Sequence, residues 1–313
     1  MFKQTFIMTL LFSLITALPG QTAAKAKTEW EDGLKGKVKI CTQINYVLKT
    51  VYSGIAPVPV VDEKIVSVYD EHGNKIERAK YNQDGWLKFK EYIQIRYDDK
   101  GKMVEKEHKR DGSVASKSVF RNDDRGNIIA IESYGANGLL SGKTVYSYDD
   151  KGNQVGWEEY KSDGTLDYKF ADKYDDKGNK IERSSSGSNG VLTVAELYKY
   201  DDKGNQIEAE TVSGFFPGRS VYKYDNKGNQ TELAFYKPDG SRSYKFVTRF
   251  NAKGNKIKMS YYEADDSVSK FSEYEYDNKG NVIEELNKEI VKESGKTKTV
   301  IVGRKSWTYE YYK

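Results

Sequence analysis

Apolar and polar residues alternate along this chain in short runs, and each run is closed by a turn signal. One stretch shows the pattern: Asn229-Gln-Thr-Glu-Leu-Ala-Phe-Tyr236, then Lys-Pro-Asp-Gly240, then Ser241 to Phe250. Two runs rich in β-branched and aromatic residues around Pro-Asp-Gly read as a β-hairpin. Lys237-Pro238-Asp239-Gly240 suits a type I turn followed by a left-handed glycine in a bulge. A second turn cassette, close to Tyr-Asp-Asp-Lys-Gly-Asn, joins each hairpin to the next and needs glycine where φ is positive. Its glycines are Gly73, Gly101, Gly126, Gly152, Gly178, Gly204, Gly228, Gly254 and Gly280, at gaps of 28, 25, 26, 26, 26, 24, 26 and 26 residues. Such a period marks repeats of one supersecondary unit. The expected fold is all-β: an antiparallel β-meander of about nine 26-residue two-strand repeats.

Alternation also assigns faces. If each Asp-x-x-Gly turn pairs its first and last residues, Val155 lies opposite Phe170, Trp157 opposite Tyr168, Leu233 opposite Tyr244 and Tyr198 opposite Ile207. One apolar face then carries Ile76, Ile129, Val155, Ile181, Ile207, Ile257 and Ile283 with Tyr146, Tyr198, Tyr222 and Tyr274. The wetter face carries Glu77, Glu105, Glu182, Glu208, Glu232 and Glu284, with Lys173, Lys199 and Lys223 as cross-strand partners. Open twisted sheets rarely exceed ~10 strands without curling. The meander is therefore expected to be a curled or spiral sheet with a partly hydrated interior lined more by tyrosine than by leucine.

The ends differ from the repeats. Lys3 precedes an apolar run, Phe6–Leu18, which Pro19-Gly20 breaks before Ala24-Lys25-Ala26. This is the pattern of a secretory signal peptide over residues 1–26, cut after Ala26 (or Ala24). No transmembrane segment is expected in the mature chain, which is read as exported to the periplasm, the cell surface or the medium. Residues 27–64 read as an N-terminal capping strand, Lys35–Thr50, and a linker, Gly54–Pro59. The repeat domain spans 65–290. Residues 291–313 read as a C-terminal cap, with a polar turn at Lys292–Lys298 before a strand over Thr299–Tyr312.

The cassette stands as Tyr146-Ser-Tyr-Asp-Asp-Lys-Gly152, Tyr198-Lys-Tyr-Asp-Asp-Lys-Gly204, Tyr222-Lys-Tyr-Asp-Asn-Lys-Gly228 and Tyr274-Glu-Tyr-Asp-Asn-Lys-Gly280. It resembles the YD repeat of the Rhs family, in particular small secreted bacterial YD-repeat proteins. The resemblance implies a β-strip that in longer relatives winds into a hollow shell around a toxic cargo. This chain lacks the Asp-Pro-x-Gly signature of the self-cleaving segment, and no separate domain follows the last repeat, so a toxin or autoproteolytic role is not expected.

The chain has 51 Lys and Arg against 47 Asp and Glu, for a formal charge of +4, and the two signs are mixed along the strands. That balance argues against a nucleic-acid partner. Cys41 is the one cysteine, which leaves no intramolecular disulfide to form. His72 and His108, the two histidines, sit at repeated structural positions. No Cys/His metal spacing and no phosphate loop is found, so no cofactor, no metal and no catalytic residue is assigned. The Asp-Asp-Lys-Gly-Asn loops have adjacent aspartates and a central lysine, which suits a turn rather than a calcium loop.

One feature remains as candidate chemistry. Tyr81, Tyr134, Tyr160, Tyr236 and Tyr262 precede the second turn and fall on the wetter face near one rim. Rings with a polar tip, roughly 10 Å apart in neighbouring repeats, suit stacking on sugars or gripping a partner. The expected function is a non-catalytic exported repeat scaffold binding an envelope polysaccharide or a protein at the bacterial cell envelope. The alternative is a small shell or chaperone-like carrier that shelters a cargo protein, and packing over neighbouring Lys stems is the structural reading of the same tyrosines.

Overall fold

The computed structural model describes residues 33–49, 58–213, 217–293 and 296–312. The signal-peptide expectation and residues 54–57 of the expected linker lie outside them; Val58-Pro59 already belong to a strand. The strands run as β1 (Val38–Lys49), β2 (Val58–Tyr69), β3 (Lys75–Asn82), β4 (Leu87–Tyr97), β5 (Met103–Arg110), β6 (Ser113–Asn122) and β7 (Ile128–Gly135). They continue as β8 (Leu140–Tyr148), β9 (Gln154–Lys161), β10 (Leu166–Tyr174), β11 (Lys180–Gly187), β12 (Leu192–Tyr200), β13 (Gln206–Ser213) and β14 (Gly218–Tyr224). The last are β15 (Gln230–Tyr236), β16 (Arg242–Phe250), β17 (Lys256–Glu263), β18 (Val268–Tyr276), β19 (Val282–Glu293) and β20 (Lys296–Tyr311). No helix long and apolar enough to cross a membrane is found among the described residues.

Each cassette turn is built around one side-chain oxygen, an aspartate carboxylate in all but the Gly254 turn, where the Asn251 amide oxygen takes its place. Asp201 Oδ1 accepts the backbone N–H groups of Lys203 (3.0 Å) and Asn205 (2.8 Å), and its Oδ2 accepts the Asn205 side-chain amide (2.8 Å). The Asp201 N–H donates to the Asn205 carbonyl, and the Gly204 N–H donates to the Asp201 carbonyl. Gly204 has φ +83°, where a Cβ would be strained. The turns at Asp149, Asp175 and Asp225 repeat this geometry.

Just past the turn the ladder slips. Lys199 faces Glu208, but Tyr200 faces Gln206, so Ile207 is the extra residue of a β-bulge. Ile76, Ile129, Val155, Ile181, Thr231, Ile257 and Ile283 hold the same place after their own turns. The turn closes Asp201 on Asn205 rather than Gly204 and the bulge adds one residue more, and the second turn of each repeat does the same, so the register moves by two from that expected by turn arithmetic. Trp157 lies opposite Phe170, Leu233 opposite Phe246, and Tyr198 opposite Ala209. The bulge also corrects the expected core: Ile129, Ile181, Ile207 and Ile257 are exposed. A two-residue offset keeps the tyrosines on one face, because faces alternate with period two.

The sheet is a closed barrel rather than the expected curled or spiral strip. Consecutive strands pair antiparallel, and β20 returns to β1, with Cys41 opposite Tyr309 and Tyr46 opposite Arg304. Joining two strands of 12 and 16 residues removes both free edges of the meander. The hairpin before the seam is tighter than expected. Lys292 pairs with Thr297 and Glu293 with Lys296, so β19 runs into the expected polar turn through Glu293 and β20 begins within it at Lys296. Twenty strands at ~4.8 Å give a ring roughly 30 Å across if round.

Pairing carries each face around the whole ring. One face bears Gln43, Arg78, Trp157, Phe170, Arg183, Tyr198, Phe246, Tyr261 and Trp307, and it closes on itself at Trp307 opposite Gln43. Side chains of this face from β16–β17 and from β3, at least six strands apart, line one cavity. Only a concave wall brings them together, so this is the inner face. The outer face carries the acid–base ladder, including Lys173–Glu182 (2.9 Å), Lys199–Glu208 (2.7 Å) and Lys223–Glu232 (2.8 Å). Exposed pairs of this kind each stabilise by ~1 kcal/mol or less, so the ladder fixes register more than stability. The described interior is not a packed core: Val38, Cys41 and Tyr69 form a small cluster at the seam against Trp307, Tyr309 and Tyr311.

Closure is directly testable. Thr42 and Thr308 face each other across the β1–β20 seam, within the ~4.4–6.8 Å Cα separation a disulfide tolerates. In a Cys41→Ser background, Thr42→Cys with Thr308→Cys should oxidise to an intramolecular disulfide, read by intact mass and gel mobility. An open spiral would leave both thiols free.

Candidate functional site

The five rim tyrosines share the outer face, each opposite a basic residue of the preceding strand. Tyr81 faces Lys64, Tyr134 faces Lys117, Tyr160 faces Lys143, Tyr236 faces Arg219 and Tyr262 faces Lys245. The cationic groups of Lys64, Arg219 and Lys245 lie 5.7, 5.0 and 5.0 Å from the ring centres of Tyr81, Tyr236 and Tyr262. Tyr134 and Tyr160 instead donate to Glu132 (3.0 Å) and Glu158 (2.5 Å), and those bonds raise both phenol pKa values. The tyrosines are all half-buried and engaged by their own neighbours. For Tyr81, Tyr236 and Tyr262 that is the geometry of a cation packed over a ring.

On the inner wall, β9–β12 hold a charge network that breaks the repeat. At the place of Tyr146, Tyr198 and Tyr222 in other cassettes stands Asp172, followed by Lys173-Tyr174. Its side chain has no exposed surface. Arg183 donates to both its oxygens (2.8 and 3.0 Å), and Lys180 Nζ lies 2.5 Å away. The Arg183 guanidinium also lies 4.9 Å from the Trp157 ring, which stacks on Phe170 at 4.1 Å. Next to it Tyr198 donates to Glu196 (2.5 Å), and burial pushes that phenol far up. Burial alone would raise the Asp172 carboxyl pKa, but the bonds from Arg183 and Lys180 outweigh it and hold it low. A carboxylate so tied stays ionised, which suits positioning rather than proton transfer.

The third feature is the cavity that identifies the inner face, about 710 Å³ at the cassette-turn end of the seam. Lys35, Lys75, Arg78 and Lys256 line it, and among the described lining residues there is no carboxylate. Tyr69, Phe250, Tyr276, Trp307 and Tyr309 supply its aromatic surface. Burial lowers the Lys256 pKa, and its ammonium lies 4.4 Å from the Tyr274 ring. Arg78 is 3.8 Å from Glu91, a partly exposed pair. A smaller cavity of about 310 Å³ lies along β16–β20 and mixes Lys270 and Lys288 with Glu285 and Glu289.

Sequence reasoning missed both inner-wall features. The Asp172 network had a readable signal, the loss of tyrosine from the Tyr-x-Tyr pattern. The seam cavity had none, since its cations lie up to 221 positions apart and Lys or Arg occurs in every repeat. The histidines stay apart: His108 is on the inner wall opposite Ile93, and His72 lies in a turn 6.5 Å from the Tyr97 ring. Among the described residues no three His, Cys, Asp or Glu side chains converge to hold a metal.

No protein-family model matches the chain, and no curated protein matches it in sequence. Among solved structures it is similar to TcdB2-TccC3 with Cdc42, at TM-score 0.43 and 13% identity over 86% of this chain and 17% of that one. A TcdB2-TccC3 structure without its hypervariable C-terminal region gives 0.42 and 15%, over 84% and 16%. The chain thus spans about a sixth of the length of these chains. A porin-like protein from Bacteroides uniformis gives 0.37 and 10%, over 88% of this chain and 98% of that one.

Removing the Asp172 charge leaves Lys180 and Arg183 shielded and unpaired. Asp172→Asn should therefore destabilise the barrel by about 3 kcal/mol, read by urea unfolding at pH 7. The sign in acid follows from the lowered pKa. The carboxylate's contribution is complete above the unfolded value of ~3.9 and fades as pH falls through the folded one. The loss of unfolding free energy between pH 5 and pH 2 should accordingly be smaller in Asp172→Asn than in the parent.

Proposed function

We propose that this chain is a non-catalytic, exported scaffold that carries a guest, a polymer or a protein segment, inside its barrel at the bacterial envelope. One observation carries the reading: twenty strands close a wall whose described inner side chains do not fill the space they enclose. A filled core would lower the free energy of the barrel alone, so an open, aromatic and charged interior points to a second molecule. The resemblance of the cassettes to YD repeats agrees with a shell around cargo. The apolar run Phe6–Leu18 and the small residues at Ala24–Ala26 support export.

A lipid-embedded pore is disfavoured by the charge pattern. Glu158–Lys169, Lys117–Glu105 and Arg219–Glu208 lie on the outer face along the wall. Each Lys or Arg at a bilayer midplane costs ~2–4 kcal/mol. The inner face, with Asp172, Glu196 and Lys305, offers no apolar band either.

A second reading places binding on the outer rim, because Tyr81, Tyr134, Tyr160, Tyr236 and Tyr262 do share one face. Co-sedimentation of residues 27–313 with envelope polysaccharides and whole-envelope fractions separates the two. Under the carrier reading, Tyr134, Tyr160 and Tyr236→Ala leave binding unchanged, while Phe246→Ala with Trp307→Ala abolishes it in a folded barrel. The reverse pattern would move the site to the rim. A stoichiometric, protease-protected partner on purification would make the guest a protein, and an intact mass lacking residues 1–26 would establish signal cleavage.

A further inference from the structure

Resting on the carrier reading, we infer that Tyr168 and Glu159 on the inner wall receive an arginine side chain of a polypeptide guest. The two residues face each other across the β9–β10 ladder, and Gly187 faces Tyr168 from β11. Alternation puts all three on the face of Trp157, Phe170 and Arg183. Tyr168 is 43% exposed and Glu159 is exposed as well, although both stand on the inside of the barrel. Among the described residues no hydrogen bond, ion pair or ring contact engages either side chain. The next cation on this face of β9, Lys161, is held by Asp167 at 3.4 Å.

The same wall shows what completes such a pair. The Arg183 guanidinium lies 4.9 Å from the Trp157 ring and donates to both oxygens of Asp172 (2.8 and 3.0 Å). On β4 and β5, the Arg110 guanidinium lies 5.3 Å from the Phe89 ring and donates to Glu91. In each case a ring, a carboxylate and an arginine form one unit. Tyr168 and Glu159 supply the ring and the carboxylate alone.

A planar guanidinium can stack on a ring and bond a carboxylate with its edge at the same time, which suits the pair better than a compact ammonium does. Gly187 keeps the approach open, since a Cβ there would meet only Asn189 Oδ1, at 3.5 Å. The arginine has to come from another molecule: residues 1–32, 50–57, 214–216, 294–295 and 313 contain none. A neutral sugar would stack on Tyr168 and leave the Glu159 charge unmatched, and an anionic guest would meet that charge with like sign.

Titration calorimetry of residues 27–313 with repeating Gly-Ser-Arg, Gly-Ser-Lys and Gly-Ser-Gln peptides of matched length tests the site. The arginine peptide should bind more tightly than the lysine peptide and about tenfold more tightly than the glutamine peptide. Tyr168→Ala and Glu159→Gln should each weaken it about tenfold. Tyr168→Phe should keep the affinity, because the ring and not the hydroxyl makes the contact. Gly187→Leu should abolish binding by filling the approach. Urea unfolding should match the parent in the Tyr168 and Glu159 variants, since the groups they replace hold nothing else in place.

Equal or tighter binding of the lysine or glutamine peptide would overturn the inference, and so would affinity for the arginine peptide unchanged by Tyr168→Ala, Glu159→Gln or Gly187→Leu. An equal loss in Glu289→Gln, an exposed inner-wall carboxylate on β19, would overturn it too, by reducing the effect to general attraction. The carrier reading fails separately, when the Phe246 and Trp307 variants bind envelope fractions as the parent does.

Discussion

The fold hangs on one side-chain oxygen in each cassette, a carboxylate in all but the Asn251 turn. An aspartate that gathers two backbone N–H groups and an asparagine amide closes a five-residue turn around a left-handed glycine. The Asn side chain and backbone donors hold the carboxyls of Asp175, Asp201 and Asp225 below the usual range, so the turn is a charge-assisted lock at neutral pH. Immediately after it the chain bulges, and a tyrosine hydroxyl from the next strand donates to the carbonyl beside the bulge. Tyr148 reaches Ile128 (2.9 Å), Tyr174 reaches Gln154 (2.8 Å), Tyr200 reaches Lys180 (2.7 Å) and Tyr276 reaches Lys256 (2.6 Å). The second tyrosine of Tyr-x-Tyr-Asp therefore ties adjacent cassettes together.

That tie recurs at the seam. Tyr309 donates to the Val282 carbonyl (2.6 Å) and Tyr312 to that of Tyr69 (2.6 Å), so the last strand is bound to both neighbours of the closure. Asn281 adds a third link by donating to the Lys35 carbonyl (2.7 Å). Bulges at regular intervals increase local twist and bend the strands, which converts a long meander into a wall of steady curvature. Once the wall closes, side chains are sorted by side: the outer ladder of Lys and Glu meets solvent, and the inner face keeps rings, the Asp172 network and the cations of the seam cavity.

Sequence made part of this legible for a physical reason. Strand alternation and turn chemistry are local, so the hairpins, the turn glycines and the common face of Tyr146, Tyr198 and Tyr222 were readable from residue spacing. The bulge was not, because Ile207 is an ordinary strand residue and only the ladder shows that it has no partner. The same blindness put Ile129 and Ile181 in a core they do not join. Of the candidate sites, the rim tyrosines were visible as a periodic outer row. Asp172 was visible only as a break in the Tyr-x-Tyr pattern whose partners, Lys180 and Arg183, lie on the following strand.

By itself, then, the sequence determined an antiparallel all-β meander with its turns, its strand order and its two-faced strands, because each depends on contacts a few residues apart. The tertiary structure alone decided that the strip closes, which face is interior and what that interior holds. Closure is a pairing between Cys41 and Tyr309, 268 positions apart, and no local preference encodes it. The cationic cavity exists only because that pairing brings Lys35, Lys75 and Arg78 to the same concave wall as Lys256.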